Sequence, residues 1–250
     1  MLPKEKIKPT SFNPRKLIIY SKPKVGKTTF ASQLENNLIL DFENGTDYVE
    51  ALKINVNSIT ALENIIEEIK KAGKPYKYIT LDTISSLEAM CEWTATRNYM
   101  LTSVGARFNR VIGKASRTPG DNFLPFNKWE SVLTLPHGTG YYYLRKEILR
   151  IIDLVASVCD SLIILAHVKN TFVDSDTTKV DVKELDLTGK LKKIVTLNAD
   201  ATGYMHISNK GERKITFISS ELDDAGSRCP HLANKVIDPD WNLIFDDAKT

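Results

Sequence analysis

Cysteine is scarce in this chain. Cys91, Cys159 and Cys229 are the only three in 250 residues, far apart and without a CxxC pair. That excludes a disulfide framework and a zinc site of ordinary spacing. Long apolar runs are missing too: Leu17–Tyr20 and Leu162–Ala166 are strand-sized, well short of the roughly 18 residues that cross a bilayer. Met1–Pro9 carries lysines with no apolar stretch behind them, which reads as neither a secretory signal nor a membrane anchor. A soluble cytoplasmic chain without a membrane partner is predicted. Repeats and low-complexity tracts are absent. What remains is ordinary globular usage, 42% hydrophobic and 26% charged, which excludes disorder, collagen and coiled coil as whole-chain descriptions.

The net charge of +3 is mild but unevenly placed. Residues 1–30 hold eight Lys/Arg against Glu5 alone, and residues 97–150 hold nine against three acids. Apolar and polar residues follow a repeating order. Arg15–Ser21 reads as a short buried strand, followed by a loop and a helix from Lys27 to about Asn36. Asn37–Glu43 is a second strand, and Ser58–Lys71 is a helix for which Thr60 and Glu63 have capping-box spacing and Gly73 sits at the C-cap. Tyr76–Asp82 is a third strand, Ser85–Met100 a helix, 101–140 irregular and Tyr141–Ser157 a helix. Ser161–Val168 is a fourth strand, 169–190 polar, and Ala201–Ser208 with Lys214–Ser219 a hairpin around Asn209. Such alternation predicts an α/β fold, a mostly parallel β-sheet flanked by helices with a C-terminal β-hairpin, binding ligands at the carboxyl ends of its strands.

Between the first strand and its helix lies Ser21-Lys22-Pro23-Lys24-Val25-Gly26-Lys27-Thr28-Thr29. It matches GxxxxGK[ST] except that Ser21 replaces the first glycine and gives up that residue's freedom at positive φ. Loops of this kind turn backbone N–H groups toward phosphate oxygens at a helix start. Gly26 permits close approach, Lys27 would reach the β/γ-phosphates of ATP, and the Thr28 hydroxyl would ligate Mg²⁺. Asp82, at the end of YITLD, stands where a carboxylate can hold that Mg²⁺. Glu43, closing NLILDFE, is the first candidate for the base that activates water, with Asp41 the runner-up. His167, ending SLIILAH, suits a γ-phosphate sensor at the same rim.

Together SKPKVGKTT, LDFENGT, ITLDTIS, HGTGYYYLR and LIILAHVKN resemble the RecA-type core of phage AAA-class nucleotide-binding proteins, a family that includes Sak-type single-strand annealing ATPases. The resemblance covers about residues 15–230. It implies a RecA-like P-loop ATPase of viral or prophage origin, working in the host bacterial cytoplasm in DNA recombination or replication. Under it Glu43 matches the catalytic glutamate, Asp82 the Mg²⁺-associated acid and His167 the sensor that couples nucleotide state to DNA loops. It divides the chain into a basic arm (1–14), the ATPase domain (15–230) and a tail packing on it (231–250).

Residues 97–150 also hold eight of the 21 aromatics, including Phe123, Phe126, Trp129 and Tyr141–Tyr143. Basic residues with interleaved rings suit single-stranded DNA, because cations neutralise phosphate and rings stack on bases without reading sequence. Tyr141, Tyr142, Tyr143 and Arg145, in HGTGYYYLR with glycines for mobility, are the best DNA-binding candidates, against a packing role at a helix start. By the resemblance, 169–190 corresponds to a second DNA loop, although its charge is nearly balanced. Partners implied are a homo-oligomer, ring or filament, and a single-strand DNA-binding protein. Arg228 resembles an arginine finger offered to a neighbouring subunit, with Arg213 and Lys214 as alternatives. Annealing or strand exchange leads; a helicase or packaging motor, a nucleotide-dependent switch on a protein partner and a small-molecule kinase remain as alternatives.

Overall fold

A computed structural model describes residues 5, 11–105, 131–174, 179–220 and 223–246. Phe123, Phe126, Trp129 and nearly all of the 1–14 arm lie outside the described residues.

Five apolar runs are buried on both sides, as parallel strands require. These are β1 (Lys16–Ser21), β2 (Asn37–Asp41), β4 (Tyr78–Asp82), the first half of β5 (Ser161–Asp174) and β7 (Ala201–Ile207). With the short strand β3 (Leu52–Asn55) they form a parallel sheet in the order β3-β2-β4-β5-β1-β7. Beyond β7 the sheet turns antiparallel through β8 (Arg213–Thr216) and β10 (Val236–Ile237), and β9 (Gly226–Ser227) also pairs with β7. The fold is thus α/β, a mostly parallel ten-stranded sheet flanked by helices, as a P-loop NTPase core requires. The expected hairpin is β7–β8.

Successive side chains of β1 point to opposite layers. Ile18 and Tyr20 join a core covered by α2 (Ile59–Lys71), α3 (Ile84–Met100), α4 (Thr139–Ala156) and α5 (Leu191–Asn198). Leu17 and Ile19 join the other layer, with Phe30 of α1 (Lys27–Ser32) and the C-terminal Leu232, Trp241, Ile244 and Phe245. Trp241 stacks on Phe30 with ring centroids 4.0 Å apart. Helix α1 thus lies on one face of the sheet and α2 to α5 on the other, an arrangement in which ligands bind over the carboxyl ends of the strands.

Two local expectations are corrected and a third holds. Ser58, not Thr60, caps α2, its hydroxyl accepting from the Ala61 N–H at 3.1 Å. Gly73 does end that helix, at φ 77°, with Lys74 N–H donating to the Ile69 carbonyl at 2.9 Å. Residues 169–190 are not a plain polar loop: β5 runs on to Asp174 and pairs antiparallel with β6 (Lys179–Leu185), a two-stranded ribbon beyond the rim of the sheet. Among the described residues no helix is long and apolar enough to cross a membrane.

Candidate functional site

The register aligns the strand ends at one rim. Asp41 lies opposite Asp82, and Ser21 opposite His167. Since β5 separates β1 from β4, the His167 side chain falls between the loop after β1 and the acids of β4 and β2.

The loop 22–26 is exposed over Lys22, Pro23 and Lys24, while Ser21 and Lys27 are buried. Two residues take positive φ, Lys24 at 64° and Gly26 at 106°. Ser21 does not: it is the last residue of β1, so the glycine freedom forgone there is not needed. Its hydroxyl donates to the Lys22 carbonyl at 2.7 Å and accepts from Lys27 Nζ at 3.1 Å. Gly26 is favoured for its φ, and a Cβ there would lie 3.0 Å from Cζ of the Arg213 side chain, which would have to shift.

Lys27 Nζ also reaches His167 Nδ1 at 3.4 Å, and His167 Nε2 lies 3.6 Å from Glu43 Oε1. An ammonium has only donors, so Nδ1 must accept and Nε2 carry the ring proton, directed at the carboxylate. Burial lowers the Lys27 pKa, opposed by the charges of Asp82 and Glu43. The Glu43 carboxyl is held down at about 2, first by the His167 imidazole, against burial, with help from the Thr83 and Ser86 hydroxyls. Thr83 Oγ1 donates to Glu43 Oε1, and Ser86 Oγ does so at 2.8 Å. Thr83 is the N-cap residue of α3, yet its hydroxyl makes no cap hydrogen bond. It serves Glu43 instead. Sequence reasoning missed Thr83 and Ser86, although three hydroxyl residues among the four after Asp82 were the available signal.

Thr28 Oγ1 donates to Asp82 Oδ2 at 2.7 Å. Burial raises the Asp82 pKa, Thr28 opposes, and Glu43 and Asp41 add to the rise. A hydroxyl and a carboxylate side by side are hard oxygen donors that fit Mg²⁺, which is commonly held by one or two carboxylates plus substrate phosphates. Among the described residues no cluster of three His, Cys, Asp or Glu could hold a metal alone, so phosphate oxygens would complete the set.

Asp41, the runner-up base, has another task. It is buried and accepts from Glu43 N–H at 2.9 Å, Gly45 N–H at 3.3 Å, Thr46 N–H at 3.0 Å and Thr46 Oγ1 at 2.7 Å. It shapes the backbone that carries Glu43.

Arg228 is not at this rim. Its backbone N–H donates to the Asp200 carbonyl beside the amino end of β7, and Nη2 to the Leu197 carbonyl at 2.6 Å. Lys214 is ion-paired with Glu212 and Asp238. Of the three cations considered, Arg213 is the one at the phosphate loop, within this same chain.

Tyr141 parts from the other two tyrosines, whose rings meet edge-on with centroids 5.4 Å apart. Tyr143 packs edge-on against Tyr99 at 5.0 Å, leaving Tyr141 and Tyr142 exposed on the first turn of α4. The glycines beside them have geometric roles: Gly138 caps α4 at φ 68°, and a Cβ on Gly140 would collide with the Val132 carbonyl at 1.8 Å. Tyr141 and Arg145 line a cleft of about 330 Å³ with His137, Gly138, Gly189 and Lys190. The two segments read separately as DNA loops thus share one groove.

A strand-loop-helix with a Gly-Lys-Thr turn, facing strand-end acids across an intervening strand, defines the P-loop NTPase class. The family model described as an AAA domain matches residues 13–111 and 127–229. The chain belongs to this AAA-type P-loop NTPase family. No curated protein matches it.

Proposed function

We propose that the chain binds and hydrolyses ATP at the rim of β1, β5, β4 and β2, and does so as a RecA-like protein on single-stranded DNA in phage recombination or replication, promoting annealing or strand exchange as a homo-oligomer. The observation that carries the ATPase reading is the line Lys27–His167–Glu43 beside Thr28–Asp82. Under this reading Lys27 is the phosphate-binding cation, His167 the polar sensor, Glu43 the carboxylate that orients water and Thr28 with Asp82 the Mg²⁺-binding pair, gathered at one rim of the sheet.

Lys27 meets the β/γ-phosphates, and Glu43 orients a water toward the γ-phosphorus. As the new P–O bond forms and the bond to the β-phosphate oxygen breaks, Glu43 takes the water's proton and ADP leaves with the bridging oxygen. Thr28 and Asp82 would hold Mg²⁺, which when bound neutralises charge on the phosphates. A carboxylate held at about 2 is a weak base, so it serves chiefly by orientation and by charge that the fold keeps in place. His167, touching both Lys27 and Glu43, is positioned to register the γ-phosphate.

The DNA reading is supported by the cleft that sets Tyr141 against His137, Arg145 and Lys190, a stacking ring among cationic and polar side chains. A second reading, a nucleotide-dependent switch on a protein partner, is favoured by Tyr48, 96% exposed, and Leu52 on the edge strand β3.

The test is ATP turnover by the purified protein with and without single-stranded DNA, at low and moderate salt. Salt-sensitive stimulation is expected. Turnover indifferent to DNA would favour the switch. Glu43→Gln should retain Mg·ATP binding and lose hydrolysis by about 100-fold or more, whereas full turnover in that variant would remove Glu43 from the mechanism.

A further inference from the structure

The β7–β8 hairpin sends Arg213 back over the phosphate loop. Its guanidinium lies against Gly26, with Cζ, Nη1 and Nε at 3.0, 3.2 and 3.3 Å from where a Cβ of that residue would stand. Among the described residues the Arg213 guanidinium makes no hydrogen bond or ion pair, in contrast to its neighbour Lys214, held by Glu212 and Asp238. An exposed guanidinium ordinarily turns toward water or an acid. This one rests on a loop that already carries Lys22, Lys24 and Lys27, where its charge is repelled until an anion arrives.

The side of approach identifies which anion. In the sheet, β1 has β5 on one flank and β7–β8 on the other. Lys27 Nζ, His167, Glu43, Thr28 and Asp82 all lie toward the β5, β4 and β2 flank, where the γ-phosphate and its water belong. Arg213 comes from the opposite flank and touches the loop at Gly26, one residue before the lysine.

We propose that Arg213 is a nucleotide-binding residue supplied in cis, whose guanidinium grips the α/β end of the phosphate chain through paired N–H donors, so that it sets affinity for nucleoside di- and triphosphates alike rather than acting as a γ-phosphate finger. The inference rests on the nucleotide-site reading above. It also explains why the hairpin lies against β1: it is the arm that carries this cation.

The experiment is calorimetric titration of the full chain with Mg·ADP and with a non-hydrolysable Mg·ATP analogue, for the wild type, Arg213→Ala, Arg213→Lys and Lys27→Ala. Arg213→Ala should weaken both ligands by the same factor, roughly tenfold to a hundredfold for a lost charge-assisted contact. Arg213→Lys should recover only part, since an ammonium keeps the charge but loses the planar fork, and it remains the test variant should Arg213→Ala fail to fold. Loss confined to the ATP analogue would overturn the assignment in favour of a γ-phosphate finger. Unchanged affinity for both would show that the guanidinium only packs on Gly26. Loss that emerges only at concentrations where the protein assembles would place the arginine in a neighbour's site and overturn the cis assignment. Lys27→Ala separates the two levels: normal binding by that variant removes the nucleotide site itself, whereas its loss beside an unaffected Arg213→Ala removes Arg213 alone.

Discussion

Asp41→Asn separates a scaffold from a catalyst. In the wild type Oδ1 accepts from the N–H groups of Glu43 and Gly45, and Oδ2 from the N–H and hydroxyl of Thr46. Asparagine turns one oxygen into a donor. On the Oδ1 side that NH2 would face two N–H groups, so it settles on the Oδ2 side, where the Thr46 hydroxyl can reverse and accept. Thr46 N–H is then buried against a donor, which costs about 1–3 kcal/mol, and the two bonds left on the carbonyl fall from charge-assisted to neutral strength for about 1 kcal/mol more. A loss of about 3 kcal/mol lowers Tm by about 6–12 °C in a chain of this size. Burial works to raise the Asp41 pKa, but the Thr46 hydroxyl and the N–H groups of Glu43, Thr46 and Gly45 bring it below its ordinary 3.8. The contribution is therefore complete above that value and is lost as pH falls through the lower folded one, so the Tm gap between wild type and variant should close in acid. Calorimetry across pH reads the stability, and ATP binding with turnover reads the function. The expected variant is less stable, binds Mg·ATP and turns over more slowly because Glu43 sits on a loosened backbone. An unchanged Tm with abolished turnover would refute the reasoning and make Asp41 the base.

Further outcomes follow from the same geometry. His167→Asn removes the first cause of the low Glu43 pKa, so the acid limb of the turnover profile should move to higher pH. The stabilisation that Glu43 gives the folded state, present above its ordinary 4.5 and lost as pH falls toward about 2, should shrink in the same variant. An unmoved limb would disconnect the two side chains. Tyr141→Ala should weaken single-stranded DNA binding by about 1–3 kcal/mol in a fluorescence titration, whereas Tyr143→Ala should chiefly lower Tm through its lost contact with Tyr99. Equal effects of both on binding would argue against the cleft.

The strand ends were legible because strands covered on both faces read as apolar runs, and a polar residue closing such a run, as Asp82 and His167 do, is conspicuous. The phosphate loop is local and was readable for the same reason. Elements without that contrast were not. Leu52–Asn55 is a half-exposed edge strand, and Lys179–Leu185 alternates charged and apolar residues like a linker until it pairs with β5. Side-chain destinations set by distant pairing were equally hidden. Arg228 and Arg213 both lie near the C-terminal hairpin in sequence, yet β9 ties one to the amino end of β7 while β8 lays the other on Gly26. The three tyrosines are one motif in the sequence, but a helix turns about 100° per residue, so Tyr141 and Tyr143 point well apart. That rotation delivers Tyr143 to Tyr99 and Tyr141 to the cleft.

The first turns of α3 support both the nucleotide site and the groove. Thr83 and Ser86 hold Glu43. One step round the helix, Ser85 Oγ donates to the Asp186 carbonyl at 3.0 Å, and the Glu88 carboxylate accepts the Thr188 N–H at 3.1 Å. Gly189 follows directly and lies beside Tyr141, 3.9 Å from its ring at the Cβ position. Under the proposed function, a shift of Glu43 on meeting a γ-phosphate would bear on the same helix end that fixes the groove wall. That continuity selects the residue to remove. Glu88 touches neither the phosphate loop nor Glu43, so Glu88→Ala should leave DNA-independent turnover within about twofold while reducing DNA stimulation by about 2- to 30-fold, the range of ordinary coupling energies. Glu88→Gln, which keeps an acceptor for Thr188, should restore most of it. Full stimulation in Glu88→Ala would mean that the groove and the nucleotide site communicate by another route, and the remaining connection is β5 itself, which carries His167 at the rim and pairs onward with β6.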